Sequence, residues 1–209
     1  FDCGQRFHGA VQIALGWACW KTYAGRPETN LGLRHRCVGM EILGKSLFGN
    51  GQSVDSALAI PTLKASLAMR RRYWPQDESE ILITQSNLAN CLDEAERYDE
   101  SLVLQREAYA RRVALFGVSH ELSILSGSNI GATLLKVNKW DEAKTLLGDQ
   151  LLPVARQSLG SDHDLTLTIN LNIAIALLYL NSGDGLLEAE TILKDQVQRR
   201  RRVFGPAHP

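Results

Sequence analysis

Residues 85–117, QSNLANCLDEAERYDESLVLQREAYARRVALFG, set a pattern that returns twice along the chain at a spacing close to 42 residues, and no other feature restricts the possible folds so strongly. Asn87, Leu88 and Leu92 match Asn129, Ile130 and Leu134, and then Asn172, Ile173 and Leu177. Tyr98-Asp99-Glu100-Ser101 matches Trp140-Asp141-Glu142-Ala143, and Gly117, Gly160 and Gly205 each stand three residues before a histidine, His120, His163 and His208. Asparagine, aromatic, glycine and histidine landmarks that keep their order define a repeat, and repeats of this length are supersecondary units that bury their apolar faces against copies of themselves. The pattern predicts a stack of helical hairpins, an architecture suited to binding other proteins, without naming the partner.

Apolar spacing places helices over 78–95 and 99–116, over 119–137 and 141–159, and over 164–181 and 186–204, so repeats are expected at 78–118, 119–163 and 164–209. A looser copy fits 29–77, where Leu31, His35, Val38, Ile42, Leu43 and Leu47 fall at helical spacing. Its second helix covers 57–72, or starts at Ile60 if Pro61 is confined to a first turn. Residues 1–28 are the least legible, because VQIALGWACW suits a helix while Gly4, Gly9 and Gly16 interrupt it; a degenerate first hairpin is one reading. Pro153 falls in mid-helix and is expected to bend it, since apolar spacing continues through Val154 and Leu159. The turn at 181–185 is longer than its counterparts by about three residues, an insertion that loops absorb at small cost. The chain opens at Phe1 and closes on GPAHP, the landmark that elsewhere introduces a repeat, so further repeats or domains are expected in a longer chain.

Within each hairpin, Leu88, Ala89 and Leu92 form a stripe on the first helix, and Ser101, Leu104 and Ala108 face it from the second. Ala89, Gly131 and Ala174 are equivalent small residues where two helices approach, as are Ser101, Ala143 and Ala189 on the opposing helix. Tyr98 and Trp140 are expected to fill the wedge below them, and Gly117 to end its helix in a left-handed conformation. Neither helix can hide its stripe alone, so each hairpin needs a neighbour.

The succession NLAxxL, Tyr-Asp-Glu, Arg-Arg and Gly-x-x-His resembles the long tetratricopeptide repeats of kinesin light chains and nephrocystin-3-like proteins, closely over 78–209 and loosely over 29–77. The resemblance implies an all-α fold, a right-handed α-solenoid superhelix of antiparallel hairpins, with the first helix of each hairpin lining a concave groove. Gly185 replaces the aromatic landmark in the last hairpin, and Pro61 and Pro153 have no counterpart in the family's pattern.

On that groove the resemblance places Asn87, Asn129 and Asn172 as ligands of an extended peptide's backbone, which the amide's paired acceptor and donor suit. The same asparagines would equally serve to bond the neighbouring hairpin and fix stacking. Selectivity is expected from Ile83, Ser86, Asn90, Asp93 and Glu94, then Leu125, Ser128 and Lys136, then Thr168, Leu171, Ile175 and Tyr179. The apolar bias toward the C-terminal hairpin suggests an apolar anchor there and a polar or basic portion near Asp93 and Glu94, although Ile175 and Tyr179 would also pack against a fifth repeat.

Lys plus Arg equals Asp plus Glu at 23 each, so no net field draws a polyanion or a membrane surface. Arg70 to Arg72, Arg111-Arg112 and Arg199 to Arg202 recur near helix ends, where they complement the helix dipole without nucleic acid. His120, His163 and His208 repeat rather than converge, which suits structural hydrogen bonds better than a catalytic triad. Cys3, His8, Cys19, His35 and Cys37 lack the pair spacings of a zinc site, and four cysteines without a paired motif fit a reducing, cytoplasmic setting. No apolar run reaches the roughly 20 residues of a membrane span. The expectation is a non-enzymatic scaffold or adaptor without metal or cofactor, binding a protein or peptide; the alternative is the non-catalytic regulatory arm of a larger enzyme or signalling protein.

Overall fold

A computed structural model describes residues 2–26, 28–48, 56–181 and 183–204, and side chains within 13–26, 28–47, 57–181 and 183–199. Every regular element among them is helical: α1 (Asp2–Ala24), α2 (Asn30–Phe48), α3 (Ser56–Tyr73), α4 (Glu78–Glu94), α5 (Tyr98–Phe116), α6 (Glu121–Lys136), α7 (Trp140–Lys144), a π-helical stretch (Thr145–Leu151), α8 (Leu152–Ser158), α9 (Asp164–Leu180) and α10 (Gly183–Phe204). They fall into two compact units, residues 1–104 and 105–209.

In the first unit α1 is one continuous helix, not a hairpin interrupted by glycines. Gly16 does not break it but lets it approach α2: a Cβ there would stand 3.2 Å from the Leu43 Cα and 2.8 Å from the Ser46 Oγ. α3 is helical from Ser56 onward, so Pro61 lies inside it rather than delaying it to Ile60. The core joins Leu43, Leu47, Leu63 and Leu67 to Ile81, Leu88 and Leu92. A buried polar cluster ties three helices together, in which the Glu41 carboxylate accepts from Ser66 at 3.0 Å, Thr84 at 2.6 Å and the Arg70 guanidinium. Burial works against the Arg70 charge, but Glu41 and Glu80 more than offset it and raise its pKa.

Small residues set the close approaches. Ala89, Ala174, Ala143, Ala189 and Ser101 are all fully buried, and Ser101 donates to the Ala89 carbonyl at 2.7 Å. In the second unit a Cβ on Gly131 would stand 2.5 Å from the Leu147 Cγ, so only glycine lets α6 meet the π-helical stretch. Leu147, Leu151, Ile169 and Leu177 form the core around that contact.

The turns repeat as faithfully as the helices. Glu96, Asn138 and Asn181 are left-handed at equivalent positions, and the amides of Arg97 and Lys139 close the preceding helices onto Leu92 and Leu134 at 2.8 and 2.9 Å. Gly117 and Gly160 are left-handed as well, with φ of 86° and 94°. His120 and His163 then cap α6 and α9, each Nδ1 accepting the amide two residues on at 3.2 Å. Gly205 and His208 lie outside the described residues.

Two local expectations change. The turn after α9 is shorter than the sequence suggests, because Gly183, Asp184 and Gly185 already belong to α10. Pro153 does not sit in a plain α-helix: the preceding turn is widened, and the Leu152 amide reaches back to Leu147. Trp140 to Gly160 is one residue longer than Tyr98 to Gly117, and the widened turn takes up that surplus just before a residue with no N–H to give.

Candidate functional site

The first helix of each hairpin buries one side and leaves the other to solvent. On α4, in the first unit, Ile83 and Glu94 are exposed while Ser86, Asn87, Asn90 and Asp93 are half-buried along the same face. The Asn87 amide nitrogen is inaccessible to solvent and has no hydrogen-bond partner among the described residues.

The second unit brings two such helices together. Glu121 of α6 lies 3.9 Å from His163 at the start of α9, and Tyr179 near the end of α9 stacks on Trp140 just beyond α6, with ring centroids 4.2 Å apart. The helices therefore run with like ends together. Their open faces carry Leu125, Asn129 and Lys136 on α6, and Thr168, Leu171, Asn172, Ile175 and Tyr179 on α9. Asn129 and Asn172 are half-buried, and neither side chain has a hydrogen-bond partner among the described residues. Thr168 returns its hydroxyl to the Asp164 carbonyl at 2.8 Å, so it adds a methyl to the face more than a donor.

Ser128 does not belong to this face. It is 3% exposed, because it follows the fully buried Ile124 by one helical turn and shares its inward stripe. Tyr179 is exposed, but one side of its ring is committed to Trp140, which is itself only half-buried.

The arginines act differently from the helix-end cations that the sequence suggested. Arg71 donates to Gln85 at 3.0 Å, Arg112 to Ser126, and Arg156 to Asn170 at 3.3 Å, each across 14 residues. An arginine on the second helix of one hairpin thus grips the first helix of the next, and burial holds the Arg112 guanidinium below its ordinary pKa. The signal was present in the sequence as arginine followed at a fixed distance by glutamine, serine or asparagine. Arg199 is likewise engaged, with Asp162 at 2.7 Å and Asp195 at 2.6 Å.

No three His, Cys, Asp or Glu side chains converge as a metal set among the described residues, from which the side chains of Cys3 and His8 are excluded. No described helix is long and apolar enough to cross a membrane.

Residues 80–149 match the family model for the tetratricopeptide repeat. That stretch carries the tetratricopeptide-repeat pattern. The same fold is found in a crystal structure of a kinesin light chain with nearly identical TPR-like repeats from Podosopora anserina, at TM-score 0.73 and 16% identity over 96% of this chain and 95% of that one. A single-substitution variant of that protein gives 0.75 at 16% identity, over 96% and 94% of the two chains. BtubC (BKLC) from P. vanneervenii gives 0.73 at 13% identity, over 93% and 74%. No curated protein sequence matches. The described residues thus share the all-α fold of those solved repeat structures, and residues 80–149 match the tetratricopeptide repeat itself. Repeats of this kind generally mediate protein–protein interaction, and the fold is typically non-catalytic.

Proposed function

We propose that this chain is a scaffold or adaptor module that holds a peptide segment of a protein partner on the open faces of its first-in-hairpin helices. The observation that carries this reading is the pair Asn129 and Asn172: two half-buried amides at repeat-equivalent positions on adjacent parallel helices, each with unused hydrogen-bonding capacity. A peptide backbone offers such amides the acceptor and donor they lack, whatever its side chains, and each bond contributes about 0.5–1.5 kcal/mol net. Leu125, Leu171 and Ile175 surround them with apolar surface, and the α4 face, with Asn87, Asn90, Ile83 and Glu94, offers the first unit a surface of the same kind.

The test is a peptide array screened with the purified protein and with the variant Asn129→Ala/Asn172→Ala. The variant is expected to keep its helical circular dichroism and melting temperature and to bind peptides about tenfold or more weakly. A variant that fails to fold would assign the asparagines to stacking. An array on which the unaltered protein captures nothing would end the peptide reading.

A further inference from the structure

We infer that the segment held on the α6–α9 face carries a basic side chain at one end, seated over Glu121 and Asp164, and aliphatic side chains along the rest. The inference rests on the peptide-binding reading above and specifies the ligand's chemistry and orientation.

Because α6 and α9 run with like ends together, their open faces share one polarity. At their starts lie Glu121, with a side chain 60% exposed, and Asp164, also exposed. The charged and titratable groups beside them are His163, 3.9 Å from Glu121, and Asp162, already paired with Arg199. The two helix starts contribute about half a positive charge each, so two carboxylates leave that end net negative. At the opposite end the two helix ends carry about half a negative charge each, which the exposed Lys136 offsets. Along the same faces lie Leu122 and Leu125 of α6, each 41% exposed, and Leu171 and Ile175 of α9, both half-buried. An apolar floor with two carboxylates at one end takes a ligand with its basic side chain at the helix starts, since reversal would draw that charge away from them.

The probe is a set of synthetic peptides with one aliphatic sequence, chosen from those the array captures, and Lys, Gln or Glu at the terminal position, titrated by fluorescence anisotropy. The Lys peptide is expected to bind about tenfold more tightly than the Glu peptide at low salt, and the gap to narrow as salt is added. Glu121→Gln/Asp164→Asn, which keeps the side-chain shapes, should remove the gap, and Glu121→Lys/Asp164→Lys should invert it. Equal binding of the three peptides, or an unchanged preference in the charge-reversed variant, would overturn this inference while leaving peptide binding intact. Failure of every peptide to bind would instead remove the reading on which it stands.

Discussion

At the scale of single residues, two glycines in the second unit have opposite roles that only their surroundings distinguish. A Cβ on Gly131 would collide with the buried Leu147, whereas one on Gly148 would meet nothing nearer than the Ile173 Cδ1 at 3.9 Å. Gly131→Ala is therefore expected to destabilise by about 1–3 kcal/mol through overpacking. Gly148→Ala is expected to stabilise by about 0.5–1 kcal/mol, by removing glycine's backbone freedom from a helix interior. Urea denaturation of the two variants checks both signs, and equal effects would show that helix propensity alone governs these positions. The equivalence of Gly131 to Ala89 and Ala174 was legible from the repeat. The tolerance of Gly148 was not, because no landmark reports the space above a residue. Trp140 shows the same limit: its place as the repeat's aromatic was plain, but its stacking on Tyr179 depends on a ring brought in from α9.

At the scale of the element, the widened turn Thr145–Leu151 accounts for the one-residue surplus between Trp140 and Gly160. Removing one residue from it, such as the exposed Gln150, should convert the turn to ordinary α-helix and leave the melting temperature within a few degrees of the parent. Removing Ala132 from α6 should instead rotate every later side chain of that helix by about a hundred degrees and unfold the unit. Circular dichroism melts of the two deletions decide this, and comparable losses would contradict it. From Glu78 onward the helix bounds, the start of α10 apart, were readable to within a residue or two, because apolar spacing and the Gly-x-x-His punctuation mark them. Where the sequence misled, chemistry that acts on the backbone was responsible. Pro153 announces a disturbance but not whether the helix bends or widens, and Gly183-Asp184-Gly185 looks like a loop until α10 begins within it. The arginine grips were misjudged because proximity to a helix end explains a cation without reference to the next hairpin. Ser128 was misplaced by treating residues beside Asn129 as sharing its exposure.

At the scale of the whole molecule, all four cysteines fall in the first unit. Burial pushes the Cys91 thiol up to about 11, with Glu94 adding to the effect and Arg97 opposing it. Its folded value lies above the unfolded one, so the neutral thiol costs nothing below the ordinary thiol range, and stability falls as pH rises toward 11. The parent should therefore lose more stability between pH 8 and about 11 than Cys91→Ala does, read as the difference between their melting curves. Parallel pH profiles would refute the assignment. The recurrent grip of arginine on the following hairpin, always spanning 14 residues, has a kinetic corollary. Contacts between successive hairpins can close without a long excursion of the chain, so the entropic barrier to joining the next hairpin is small and does not grow with the length of the array. In such a polymer a formed hairpin can nucleate its neighbour wherever it arises, and folding spreads by adjacent contacts.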